Sequence, residues 1–187
     1  MRRLAMLTAV TLLTGAMGCG GVEEEASGDG ADELSLRTVE QAYVTWTNST
    51  SEEEPPAHCD GKRLAFGAQC WLSYCDNVRL GCKEPLSGAT LGGATWTAAF
   101  SEETTIPTIC PPGTWVTGVA CSGGYCDNVT LECTAVTGRT ASASCGWSPQ
   151  LADWMSPWEA PNGAYLRGAK CTGWWCEKMS WYYCYMN

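Results

Sequence analysis

The sequence predicts an all-β domain of pseudo-threefold symmetry, in which three disulfide-rich repeats of about 50 residues pack around a common axis as a β-prism or a β-trefoil. Three observations predict it. QCWLSYCDNVRLGC at Gln69 to Cys82, ACSGGYCDNVTLEC at Ala120 to Cys133 and KCTGWWCEKMSWYYC at Lys170 to Cys184 are versions of one motif, with Cys70, Cys121 and Cys171 spaced by 51 and 50 residues. Inside each motif, apolar residues alternate with polar ones at the period of a half-buried strand, as in Val129, Leu131 and Cys133 against Asn128, Thr130 and Glu132. Thirteen cysteines in 187 residues is a density typical of disulfide scaffolds that work outside the cytosol.

The chain opens with Arg2 and Arg3, an apolar stretch from Leu4 to Thr14, and the small residues Gly15-Ala16-Met17-Gly18. This reads as a signal peptide over residues 1–18, too short to span a membrane. Gly18 before Cys19 resembles the lipobox of bacterial lipoproteins, with Ala16 where leucine is usual, and the resemblance makes Cys19 the lipid-bearing residue. Cysteine arithmetic agrees, because setting Cys19 aside leaves an even 12 for up to six disulfides. Residues 19–36 read as a disordered acidic tether, since Gly20 to Ser35 holds six acidic residues, no basic ones and few apolar ones. The β domain then occupies residues 37–187, with repeats over about 40–84, 90–136 and 139–187.

Each repeat opens on a tryptophan, Trp46, Trp96 or Trp147, and this recurrence predicts a shared core role. Next comes a Gly-containing extended run, marked by the column Gly67, Gly118 and Gly168, that ends at Cys70, Cys121 or Cys171. A four-residue tip follows, then the alternating return strand. Repeat three carries one extra residue before Cys184, the mark of a β-bulge. No segment shows a convincing helical period.

In these features the chain resembles the vitelline membrane outer layer protein I family. The likeness rests on Trp96, Cys110-Pro111-Pro112-Gly113, the extended run Trp115 to Cys121, Asp127-Asn128 and Leu131-Glu132-Cys133, and it covers Thr38 to Asn187. It departs where the family has a longer loop before the Asp-Asn element, because this chain has a short tip bracketed by two extra cysteines. The resemblance implies a β-prism I fold and, by analogy with other prism proteins, carbohydrate binding.

The spacing Cys-x10-Cys-x4-Cys-x6-Cys, intact in repeats one and two, does not fit zinc sites, so the cysteines are expected as disulfides and no metal or cofactor is expected. Nested pairing is the simplest geometry: Cys59-Cys82, Cys70-Cys75, Cys110-Cys133, Cys121-Cys126, Cys171-Cys176 and, because Ala160 stands where a cysteine is expected, Cys145-Cys184. Sequence alone leaves other connectivities open.

From Cys19 onward the balance is 9 basic to 20 acidic residues, a formal charge of −11, which argues against nucleic acid as a partner. The single histidine, His58, leaves little room for imidazole-based catalysis, and no catalytic residue is assigned. The candidate ligand-binding residues are aromatic: Tyr74, Tyr125 and Trp175 at the tips, Trp174 beside them, and Trp154 with Trp158 as an exposed pair in a variable loop. Flat rings stack on sugar faces, and Asp76, Asn77, Asp127 and Asn128 supply polar neighbours. The competing readings are local ones, in which the rings cover disulfides and the Asp-Asn pairs satisfy turn backbone.

The expectation is an exported, extracytoplasmic lipoprotein, anchored to a bacterial membrane or cell surface through lipid, whose β domain binds a polysaccharide or glycoconjugate. The alternatives are a structural envelope protein without a small ligand and a carbohydrate-active enzyme using carboxylates drawn from Asp153, Glu159, Asp127, Asp76 and Glu177.

Overall fold

A computed structural model describes residues 43–187; the segments expected as signal peptide and tether, with Cys19, lie outside the described residues. Twelve strands run in chain order: β1 (Thr45–Trp46), β2 (Ala57–His58), β3 (Leu64–Trp71), β4 (Asn77–Lys83), β5 (Thr90–Trp96), β6 (Thr108–Ile109), β7 (Thr114–Ser122), β8 (Asn128–Thr137), β9 (Ala141–Trp147), β10 (Trp158–Glu159), β11 (Ala164–Thr172) and β12 (Lys178–Met186). They form three four-stranded antiparallel sheets of order β1-β4-β3-β10, β2-β7-β8-β5 and β6-β11-β12-β9. Three separate sheets, one per repeat, make the fold β-prism-like and set aside the single barrel of a trefoil.

The repeats are closed into a ring by strand exchange. Each sends one two-residue strand to the next sheet: β2 pairs with β7, β6 with β11, and β10 with β3. The ladder continues one residue beyond each, through Cys59 N–H to Thr117 O, Cys110 N–H to Arg167 O and Ala160 N–H to Phe66 O. No repeat can therefore complete its sheet alone, which is how units too small for a private core are stabilised together.

The alternation read from sequence decides which side chains face the axis. Val78, Val129 and Met179 form one buried column and Leu80, Leu131 and Trp181 the next, and all six join one central cluster. A second cluster is built on Leu64, Phe66, Trp115 and Tyr165.

Two expectations are corrected by register. The extra residue of repeat three is not a bulge in the return strand. Ala65 pairs with Cys82 and Val116 with Cys133, but Leu166 pairs with Tyr183, so Cys184 sits one place further along the ladder and faces the opposite side of the pleat. Cys184 accordingly joins the second cluster while Cys82 and Cys133 join the central one. On the ladder between the two long strands, each repeat has its bulge in β3, β7 or β11, between Ala65 and Gly67, Val116 and Gly118, and Leu166 and Gly168; the outer ladders add irregularities between Leu91 and Ala94 and, where β12 meets β9, between Cys184 and Met186.

The recurring tryptophans are the second correction, because none belongs to a buried cluster. Trp46 lies across the facing glycines Gly67 and Gly81, its ring 3.3 and 3.1 Å from where their Cβ atoms would sit, with the Arg79 guanidinium 5.0 Å above it. Glycine at both positions leaves the space that the indole fills. Trp147 packs on Tyr182 under Lys170, and Trp96 meets His58 edge-on.

The disulfides are Cys59–Cys82, Cys70–Cys75, Cys110–Cys133, Cys121–Cys126, Cys145–Cys184 and Cys171–Cys176, the nested arrangement. Six disulfides suit a domain that works in an oxidising, extracytoplasmic setting.

Candidate functional site

The two long strands of each repeat are joined by a single 3₁₀ turn, Ser73–Cys75, Gly124–Cys126 or Trp174–Cys176. A ten-atom-scale turn between strands that are also stapled at Cys70–Cys75, Cys121–Cys126 and Cys171–Cys176 leaves little backbone choice. The aromatic residue and its cysteine are both held at positive φ: 64° and 56° for Tyr74 and Cys75, 58° and 59° for Tyr125 and Cys126, 51° and 55° for Trp175 and Cys176. Left-handed backbone costs about 1 kcal/mol or more for each such residue, and it persists here because disulfide and strand pairing over-determine it.

This conformation brings the three tips together on the threefold axis. The rings of Tyr74, Tyr125 and Trp175 form a triangle with centroids 5.4, 5.1 and 5.3 Å apart. They remain 36, 46 and 42% exposed, while Cys75, Cys126 and Cys176 lie buried. The tip aromatics thus pack on one another and present an open aromatic face. Leu72 and Trp174 flank it, both exposed. Leu72 has φ 61° where repeats two and three place Gly123 and Gly173.

Around the triangle run three seams, each built from the column Glu52, Glu102 and Asp153 that follows the recurring tryptophans. Glu52 reaches across from repeat one to accept the Tyr125 N–H at 3.0 Å, and Glu102 reaches from repeat two to accept the Trp175 N–H at 3.0 Å. Each glutamate also shares a proton with the aspartate after its own tip, Asp76 or Asp127. Burial, then Glu52, pushes Asp76 up to about 6. Asp127 is raised by its hydrogen bond to Glu102, then by burial. Glu52 is held below the usual glutamate range, first by its own N–H, and Glu102 ends lower too because hydrogen bonds outweigh its burial.

Opposite shifts within a pair fix the sign of its pH dependence. A raised Asp76 contributes stability that is lost as pH rises through about 6, and a lowered Glu52 contributes stability that is lost as pH falls below the glutamate range. Thermal unfolding scanned against pH is expected to peak in the mildly acidic window between those limits. Asp76→Asn, which keeps a donor to Glu52 without a titrating proton, should flatten the high-pH limb.

The third seam is different. Asp153 is one methylene shorter than its two counterparts, and among the described residues no bond joins it to the Tyr74 N–H; its Oδ1 is buried without a partner, as are Asp76 Oδ1, Glu102 Oε2 and Asp127 Oδ1 in the other two seams. Glu177, in the place of Asp76 and Asp127, folds back against Gly173 and pairs with Lys178 at 3.4 Å. A cleft of about 470 Å³ opens here, lined by Ser73, Tyr74, Asp153, Trp154, Glu177 and Lys178. Trp154 stands at its wall with 77% of its surface exposed, and Trp174, on the third tip, is 76% exposed.

The structure therefore unites Tyr74, Asp153, Trp154 and Glu177 of the predicted residues in one cleft and gathers Tyr125, Trp174 and Trp175 on the same face. It separates others. Trp158 is not an exposed partner of Trp154: it lies in β10, half-buried, with its ring 5.8 Å from Tyr183. Asp76, Asn77, Asp127 and Asn128 are occupied locally, the aspartates at the seams and the asparagines donating to them at 3.4 and 3.3 Å. Glu159 pairs with Gly67 in β10 and is not among the residues that line the cleft with Asp153. Glu52, Glu102, Leu72, Ser73 and Lys178 carry the site without having been singled out, although the first two share a column with Asp153.

Among the described residues one triple of ligand-type atoms lies close enough for a metal, Glu102, Asp127 and Cys176, and the Cys176 sulfur is already bonded to Cys171. A depression of about 490 Å³ bounded by Gly61, Lys62 and the loop Glu84 to Leu91 has no aromatic wall. A smaller one, about 270 Å³, holds His58, whose Nδ1 is 3.0 Å from Glu132.

The chain has no match among protein-family models, curated proteins or solved structures.

Proposed function

We propose that the protein is an exported glycan-binding module, tethered to a bacterial membrane or cell surface through lipid on Cys19, whose ligand sits in the cleft between repeats three and one. A distant kinship with the vitelline membrane outer layer protein I family is part of this reading, supported by the threefold prism-like architecture. The observation that carries it is the open seam. Where Glu52 and Glu102 close their seams on a tip N–H, Asp153 leaves a cleft walled by an exposed indole, a second aromatic ring, carboxylates, a hydroxyl and an ammonium. Protein carbohydrate sites need this combination, a flat ring for the C–H face of a sugar with convergent polar groups to orient its hydroxyls.

The test uses the symmetry of the fold. Asp153→Glu restores the side chain of the other two seams, so it should bond the Tyr74 N–H, close the cleft and reduce retention on insoluble cell-wall or exopolysaccharide fractions roughly tenfold, the effect of losing a pocket's central contacts. Its unfolding temperature should not fall. Wild-type protein that is folded yet retained on no polysaccharide overturns the function, and undiminished retention of Asp153→Glu overturns the site.

A further inference from the structure

Resting on that reading, we propose that the cleft between repeats three and one selects a sugar that carries a free ammonium group, a 2-amino-2-deoxy glycan in preference to a neutral or N-acetylated one. The cleft is acceptor-rich. Asp153 lines it without a tip N–H to accept, and its Oδ1 atom, closed to solvent, has no hydrogen-bond donor, so a donor reaching this carboxylate from the cleft meets a group left unpaired, which is costly until it is paired. Lys178 does not fill that role, because it is turned to Glu177 at 3.4 Å. The cleft thus combines an unpaired carboxylate with an exposed indole, Trp154.

An ammonium group supplies what is missing. It brings three donors and a positive charge, and the faces of Tyr74 and Trp154 attract a cation as well as a sugar ring. An N-acetyl group in the same place brings one donor, no charge and added bulk. The surroundings favour the cation further: segments 47–56, 97–107 and 148–157, which carry the seam residues, hold six acidic residues and no basic one. Such one-signed walls concentrate cations at the cleft mouth. In the closed seams Asp76 Oδ1, Glu102 Oε2 and Asp127 Oδ1 are also buried without a donor, but there Glu52 and Glu102 accept tip N–H groups, whereas Asp153 accepts none and lines the open cleft, so one such site per molecule is expected.

The experiment is isothermal titration of the full-length, disulfide-bonded chain with four hexamers: glucosamine, N-acetylglucosamine, glucose in β-1,4 linkage, and lysine. The buffer is mildly acidic, so the amines are protonated. The glucosamine hexamer should bind roughly tenfold or more tightly than the N-acetylated one, the usual worth of a hydrogen bond to a charged group. In Asp153→Asn, which is isosteric and expected to unfold at an unchanged temperature, that preference should collapse while weak binding of neutral sugar survives. Equal affinity for the acetylated and free-amine hexamers would overturn the amine selectivity and leave the glycan reading standing. Lysine hexamer binding as tightly as glucosamine hexamer would also overturn it, because the cleft would then read charge alone, and a preference that persists in Asp153→Asn would place the amine elsewhere. Failure of all three sugars to bind would remove the glycan reading and this inference together.

Discussion

Trp154→Ala is expected to abolish retention on polysaccharide while leaving thermal unfolding within experimental error of the parent chain. Trp154 has 77% of its surface in solvent, belongs to neither buried cluster and stands on the wall of the open seam. Its removal therefore costs no core contacts, and surface changes of that kind shift stability by only about 0.5 kcal/mol or less. A central aromatic in a binding pocket is worth about 2 kcal/mol or more, a loss of roughly thirtyfold in affinity. Trp158→Ala supplies the contrast. That side chain is half-buried on the exchanged strand β10 against Tyr183, so truncation should cost about 3 kcal/mol of stability, as for other packed aromatics. Parallel affinity and melting measurements on the two variants separate a ligand platform from a packing residue. Similar loss of stability in both would sink the assignment of Trp154.

The two tryptophans also show what a sequence of this kind reveals and what it hides. They lie four residues apart in the same variable stretch, and nothing local distinguishes them. Strand exchange does, by placing Trp158 opposite Ala68 in the sheet of another repeat, a pairing between residues far apart in the chain. The threefold architecture was legible because its evidence is repetition, and the buried columns of Val78 and Leu80 with their counterparts were legible because the pleat has period two. The outward position of Trp46 was not, since it depends on two glycines meeting across a ladder whose register is shifted by a bulge at Phe66.

The site was half visible. Tyr74, Tyr125 and Trp175 could be picked out as tip aromatics, but their convergence into a triangle requires the left-handed backbone that the short disulfide loops impose. The column of Glu52, Glu102 and Asp153 was available from the repeat alignment. Its meaning was not, because the difference of one methylene matters only once a tip N–H from the neighbouring repeat lies within reach of the longer side chain.

The same seam that lacks a glutamate latch also lacks a staple, and the disulfides can be ranked by this logic. Cys59 and Cys110 directly follow the exchanged strands β2 and β6, and their bonds to Cys82 and Cys133 tie each departing strand back to its own sheet. After β10 the corresponding residue is Ala160, and Cys184 bonds instead to Cys145 across the β9–β12 ladder. Removing Cys110–Cys133 as a pair of serines should therefore do two things. It frees a crosslink of sequence separation 23, worth about 3.5 kcal/mol in denatured-chain entropy, against about 2 kcal/mol for Cys121–Cys126 with its separation of 5. It also releases the exchanged strand β6, whose ladder onto β11 is only two residues long. Urea unfolding of the two double-serine variants should accordingly show the larger drop in midpoint for the Cys110–Cys133 pair. Hydrogen exchange should quicken at the Thr108 and Cys110 amides, the two that face β11, in that variant alone, and equal destabilisation of the two without such local opening would show that the ring closure does not depend on this staple.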